Sequence, residues 1–373
     1  MSIHDLQASV QRTIDDGVAS GAEVGVQVAV AAHGELVVDA VAGLADPGRS
    51  VPVRPDTLFF AFSAAKGIAS AVAHVLGERG ELADGLRAAD VWPELGAHGK
   101  DEITLRHVLL HTAGVPAPPY DTTIDDLCDW DRMCARLADE MPWWPPGTRF
   151  GYHAQTFGFI LGEIVRRATG NTLSGWLHEA ITQPLGIPDD VHFGVPSALL
   201  GRIARQVAAG TPPPSPEPGS PADRAIPPGV RIDAAAANRT DLLTSDIPSF
   251  GTMTARGAAR VYAALLGHVD GIELVSPARR TTMGAIHVEG LDEVMGFPST
   301  WAYGFAPHRP GPVASRPGST FGMFGSNGCA AYADIDSGVA VAVLRNRFDS
   351  SGFAAAAEID RLVAEAFPTN PAP

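Results

Sequence analysis

Two pairs of β-rich runs lie at opposite ends of this chain, and their separation restricts the folds open to it. Near the N-terminus, EVGVQVAVAA and ELVVDAVAG are split by His33-Gly34, a spacing that predicts a hairpin. Near the C-terminus, Cys329–Asp334 and Val339–Leu344 flank the turn-forming Asp336-Ser337-Gly338. Ile3, Leu6, Val10, Ile14 and Val18 recur at helical spacing over residues 3–18, and a second helix is predicted from about Gly352 to Phe367. Strands and a helix at each end predict one sheet assembled from both termini. The middle then becomes a long insertion, and its pattern is mostly helical at Ser63–Arg79, Leu105–Leu110, Phe157–Ala168 and Thr254–Leu266. Residues 209–230 hold eight prolines and read as an irregular surface excursion.

Composition removes several function classes. The net charge of −15 repels phosphate backbones and anionic lipid, so neither nucleic acid nor membrane is expected as a partner. Runs such as Val28–Ala32 and Val339–Leu344 are too short to span a bilayer. The start, MSIHDLQASVQRTIDD, has no basic segment followed by an apolar one, so no secretory signal is expected. Cys128, Cys134 and Cys329 lack zinc-ligand spacing, and a reduced, cytoplasmic protein is the expectation. His107 and His111 stand four apart, but Val108 replaces the glutamate of a His-Glu-x-x-His helix; no metal or cofactor is expected.

Only two of the 27 basic residues are lysines, Lys66 and Lys100. A lysine kept against such a bias suggests a task arginine cannot perform, and losing a proton is the obvious one. Lys66 stands three residues after Ser63, at the start of a predicted helix. Positions i and i+3 share a helix face, so hydroxyl and amine can meet. The helix N-terminus adds unpaired N–H groups and the positive end of its dipole, which favour an alkoxide and the oxyanion formed after attack. A neutral lysine can serve as the base that serine needs.

Beyond Ser63-Ala-Ala-Lys66 come TLRHVLLHTAGVP (104–116) and PPGTRFGYHAQTFGFILGEIVRRATG (145–170). DIPSFGTMTARGAARVYAALL (246–266) and FGMFGSNGCAAYADIDSGVAVAVLRN (321–346) follow. In order and spacing these blocks resemble the serine β-lactamase-like superfamily, nearest to class C β-lactamases and family VIII carboxylesterases, from about residue 3 to 367. The resemblance implies an α+β fold: an antiparallel sheet flanked by terminal helices, with a large helical insertion. It implies a sheet domain of residues 1–60 with 270–373, a helical domain of 61–269, and an active site at their interface. Ser63 is then the nucleophile, with Lys66 and Tyr152 as proton-handling partners, the phenol's pKa being lowered by the lysine cation. The backbone N–H groups of Ser63 and Ser326 would form the oxyanion hole. Phe324, Gly325, Asn327, His153 and Trp144 are candidate substrate contacts, with Ser326 and Trp143 beside them.

Two departures matter. Ala154 stands where the family's Tyr-x-Asn motif has asparagine, and Met323-Phe324-Gly325 replaces the Lys-Thr-Gly or His-x-Gly triplet. No basic side chain remains there for a substrate carboxylate. The expected activity is hydrolysis of a small-molecule carboxylic ester through an acyl-enzyme on Ser63. The alternative is an acyltransferase of secondary metabolism that hands the same acyl group to an alcohol or amine. A β-lactamase or D-Ala-D-Ala peptidase is disfavoured, and a binding protein that has lost catalysis has no reason to keep Ser63, Lys66 and Tyr152.

Overall fold

The computed structural model describes residues 3–267, 269–313 and 315–368. Helix α1 (Ile3–Ala19) leads into strands β1 (Gly25–Ala32), β2 (Glu35–Asp46) and β3 (Val51–Pro52). His33 and Gly34 both take positive φ, 49° and 90°, which gives the β1–β2 turn the twist its strands require. The middle of the chain supplies helices α2 (Ala65–Glu78), α3 (Thr156–Thr169) and α4 (Ala255–Leu265), with shorter helices and turns between them. Then come a separate two-stranded hairpin, β4 (Ile286–Leu291) and β5 (Pro298–Ala302), strands β6 (Thr320–Phe324), β7 (Ala330–Asp334) and β8 (Val339–Arg345), and helix α5 (Ala354–Ala366).

The main sheet runs β6-β7-β8-β1-β2-β3, antiparallel throughout. Its central pair joins the termini, with Val28 opposite Val343. Side chains alternate across it. Val26, Val28, Val30, Val339, Val341 and Val343 pack against Leu6, Val10 and Ile14 of α1 and Ile359 and Val363 of α5. On the other face stand Ala29, Ala31, Ala340 and Ala342, in the core shared with α2 and α4. Small residues there let α4 lie close to the sheet. The fold is therefore α+β, with one sheet built from both ends.

Helix α2 is buried on every side from Ala65 to Leu76, as suits a segment dominated by small and apolar residues. Its one interior hydroxyl, Ser70, donates to the Gly304 carbonyl at 2.7 Å. The proline-rich stretch contains a short α-helix, Pro221–Ala225, and a single 3-10 turn, Pro228–Val230; Ala225 packs with Trp144 and Val294. Among the described residues, no helix is long and apolar enough to cross a membrane.

Candidate active site

Ser63 lies just before α2, on a tight turn over Phe62–Ala64, so the helix itself begins two residues later than the pattern suggested. The turn is strained: Phe62 holds φ +50°, a conformation that a bulky L-residue rarely adopts. Its ring is clamped edge-on by Phe60 at 4.8 Å and stacked on Phe348 at 5.5 Å. The preceding strand, Phe59–Phe60, is tied to Thr252–Met253.

Lys66 follows one turn later, 1% exposed, with Nζ 2.9 Å from the Ser63 hydroxyl and 2.9 Å from the Ser249 carbonyl. Ser249 is itself immobilised: its hydroxyl donates to the Gln155 carbonyl at 2.7 Å and accepts the Gly158 N–H at 2.8 Å. Gly158 permits that approach, because a Cβ there would stand 2.1 Å from the Ser249 nitrogen. No carboxylate pairs with Lys66 among the described residues. Burial therefore holds its amine well below the ordinary lysine range. The rings of Tyr152 and Phe250, 5.3 and 5.5 Å from Nζ, are weak compensation for lost water.

The Tyr152 phenol shares the cleft with Ser63, and desolvation pushes it well above its ordinary value, the Ser63 hydroxyl offsetting only part of that rise. That corrects the expectation of a cation-lowered phenol, since burial acts on both groups and drives each toward its neutral form. The ring stacks on Trp301 at 5.6 Å with planes 6° apart, and meets His111 edge-on at 5.1 Å. Both oxygens of Asp292 accept the Tyr152 backbone N–H, at 3.2 and 3.1 Å.

Opposite Ser63, β6 ends in a turn where the Gly325 N–H donates to the Cys329 carbonyl and the Gly328 N–H to the Gly325 carbonyl. Neither the Ser326 nor the Ser63 N–H has an acceptor among the described residues, so two unpaired donors are available at this mouth. Gly325 packs directly against the segment leading to Ser63: a Cβ on it would lie 2.3 Å from the Ala61 carbonyl oxygen.

A cleft of about 580 Å³ opens onto these groups. Phe324, Gly325 and Ser326 line one side; Met295, Phe297, Pro298 and Trp301 of the β4–β5 hairpin line another. Phe324 stacks with His308 at 5.0 Å and meets Phe353 edge-on at 5.5 Å, so an aromatic wall fills the place of the absent basic residue. No lysine or arginine is among the described residues of the lining; its acidic members are Glu289 and Asp292.

Three expected substrate contacts turn away from this cleft. Asn327 is fully buried, donating to the Arg345 carbonyl at 3.0 Å and accepting the Cys329 N–H at 3.2 Å, which shapes the turn and leaves nothing for a ligand. His153 is 1% exposed, donates to the Gly151 carbonyl at 2.7 Å and accepts the Val115 N–H at 3.2 Å. Trp144 packs with Ala117, Ala225 and Val294, outside the lining. His107 caps a short helix through Thr104, and His111 accepts the His153 N–H. Sequence reasoning missed Trp301, Asp292, His308, Phe353 and Ser249. Of these only Ser249 lay inside a block already noticed.

Residues 10–365 match the protein family described as Beta-lactamase. Esterase/beta-lactamase LipL of Mycobacterium tuberculosis (strain ATCC 25618 / H37Rv) is 31% identical over 347 residues, covering 86% of this chain and 76% of LipL. A crystal structure of a family VIII carboxylesterase superposes with TM-score 0.87 at 32% identity, covering 97% of this chain and 96% of that one. A penicillin-binding protein homologue from Caulobacter crescentus superposes with TM-score 0.81 at 33% identity, with coverage of 97% and 96%.

Proposed function

The chain belongs to the beta-lactamase family, and on that premise we propose that it is a serine esterase acting on small, uncharged carboxylic esters. The observation that carries the reading is the meeting of Lys66, Tyr152 and one hydroxyl, that of Ser63. Neutral Lys66 takes the Ser63 proton as Oγ attacks the ester carbonyl. The Ser63 and Ser326 N–H groups stabilise the oxyanion. On collapse the neutral phenol of Tyr152 protonates the departing alkoxide, and the Lys66 ammonium then restores the phenol's proton. Water enters where the alcohol left, and by microscopic reversibility its proton passes to the same pair.

The cleft lining supports esters over β-lactams. A carboxylate-bearing substrate would meet aromatic rings and acidic side chains with no fixed cation to hold it. The three free cysteines suit a reducing compartment, which supports a cytoplasmic enzyme.

The test is turnover of p-nitrophenyl acetate and butyrate beside nitrocefin, with and without added alcohols. Rapid ester hydrolysis, slow nitrocefin cleavage and loss of both in Ser63→Ala are expected. Ester turnover unchanged in Ser63→Ala would sink the nucleophile, and a dominant transesterified product would make the chain an acyltransferase.

A further inference from the structure

Under the β4–β5 hairpin lies a carboxylate that the chemistry above does not use. Asp292 is 1% exposed, and no cationic side chain pairs with it among the described residues. Burial of an unpaired charge is unfavourable and pushes this carboxyl above its ordinary value. What holds it is a set of backbone N–H groups. Oδ1 accepts from Val294 at 2.9 Å and Met295 at 2.8 Å, which closes the hairpin tip. Both oxygens share the Tyr152 N–H, and the Glu293 N–H donates to the Phe150 carbonyl at 3.0 Å. Gly151 admits the tip, since a Cβ there would stand 2.7 Å from Val294 Cγ2.

A tip turn of this kind needs one acceptor, which asparagine or serine supplies without burying a charge. The second oxygen is required only for Tyr152. We propose that Asp292 is a positioning residue: from the hairpin tip it grips the Tyr152 backbone, and so fixes the phenol opposite Ser63. The hairpin wall of the cleft and the proton donor then form one unit, joined also by the stack of Trp301 on Tyr152. The inference rests on Tyr152 being the donor to the leaving alcohol.

Asp292→Asn tests the grip selectively. The amide oxygen keeps the Val294 and Met295 bonds and its longer, 3.2 Å contact with the Tyr152 N–H, while the NH₂ replaces the nearer oxygen and confronts that N–H, donor against donor. Asp292→Ser is the second variant: it keeps a turn acceptor but is too short to hold Tyr152. Both are assayed on p-nitrophenyl butyrate, whose leaving group departs without a proton, and on ethyl butyrate, whose alkoxide needs one. Cooperative thermal unfolding is recorded for each. The expected result is a kcat loss at least roughly tenfold greater on the ethyl ester, with KM within about threefold of wild type. The double variant with Tyr152→Phe should be no worse than Tyr152→Phe alone. Equal losses on the two esters, an effect on KM alone, or no loss would overturn the grip while Tyr152→Phe still discriminates the esters. If neither variant unfolds cooperatively, Asp292 serves folding and the proposal falls. If Tyr152→Phe itself fails to discriminate, the donor reading goes first and the grip with it.

Discussion

Replacing Gly325 by alanine isolates the oxyanion-binding step. The backbone there is not in the left-handed region, so alanine meets no conformational objection. The obstacle is space. The new Cβ would stand 2.3 Å from the Ala61 oxygen and 3.1 Å from Asn327 Oδ1, whereas real Cβ atoms essentially never approach closer than 3.0 Å. The turn carrying Ser326 must therefore retreat by at least about 0.7 Å from the segment leading into Ser63. Oxyanion donors act at roughly 2.7–3.1 Å, so a retreat of that size takes the Ser326 N–H out of effective reach. Loss of one such donor lowers kcat by roughly 10²–10³-fold, or about 3–4 kcal/mol. Gly325→Ala should therefore lose kcat on that scale with KM nearly unchanged. The loss should be equal for p-nitrophenyl butyrate and ethyl butyrate, because both esters develop the same oxyanion. Steady-state kinetics on the two esters, with urea unfolding to confirm a folded variant, is the assay. A folded Gly325→Ala enzyme with near-wild-type kcat would show that the Ser326 N–H does not bind the oxyanion. A loss graded by leaving group would point to the proton donor instead.

Lys66 and two buried histidines give further expectations. Burial holds the Lys66 amine below its ordinary value, so between the two the unfolded chain carries the extra proton and stability rises with pH. Lys66→Met should abolish turnover yet stabilise the fold at pH 7 by on the order of 1–3 kcal/mol, a gain that shrinks toward about pH 10. Chemical denaturation across that range checks it, and a destabilised Lys66→Met protein would contradict a net cost for burying that amine. His74 and His153 are each pushed down by burial from 6.5 to about 4. Their contribution is complete above about pH 6.5 and is lost as pH falls toward 4, by roughly 2–3 kcal/mol apiece. Urea midpoints at pH 7 and 4.5 should differ accordingly for wild type and less for His74→Leu; identical midpoints would refute it.

The sheet was legible because its strands are β-rich runs bounded by turn residues, while its terminal helices carry the longer period. Both faces of β1 and β8 are buried, the valines against α1 and α5 and the alanines against α2 and α4. Ser63, Lys66 and Tyr152 were legible for another reason: short blocks with restricted spacing carry them. The cleft walls were not. Asp292 reaches Tyr152 across 140 residues and Ser249 reaches Lys66 across 183, and no local pattern reports contacts of that range. Hairpin β4–β5 pairs only with itself and leaves Leu291 and Phe297 more than half exposed, so it lacks the buried alternation that announces a strand. His153 and Asn327 were misassigned through adjacency, which says nothing of where a side chain goes. Beside Tyr152, the His153 ring folds back on the Gly151 carbonyl; beside Ser326, the Asn327 amide turns under its own loop.

The two lysines show how hydrogen-bond inventory separates a structural cation from a base. An ammonium carries three donors and no acceptor. Lys100 meets that count: its Nζ donates to the carbonyls of Leu137, Ala138 and Glu140, closing the C-terminal end of the helix Trp130–Asp139. Arginine's planar fork cannot direct donors at three carbonyls from a single atom. Lys66 has two partners among the described residues, and one of them, a hydroxyl, can give or receive. A charged Lys66 would leave a donor unused in a buried site. A neutral one donates to the Ser249 carbonyl and turns its lone pair to the Ser63 proton, leaving one N–H unused just as the ammonium does, but burying no charge. With that count equal, the cost of a buried charge that no carboxylate pairs decides, and it favours the amine that has lost its proton. In a chain that otherwise uses arginine, lysine persists at two buried positions for opposite reasons, one to keep its charge and one to give it up.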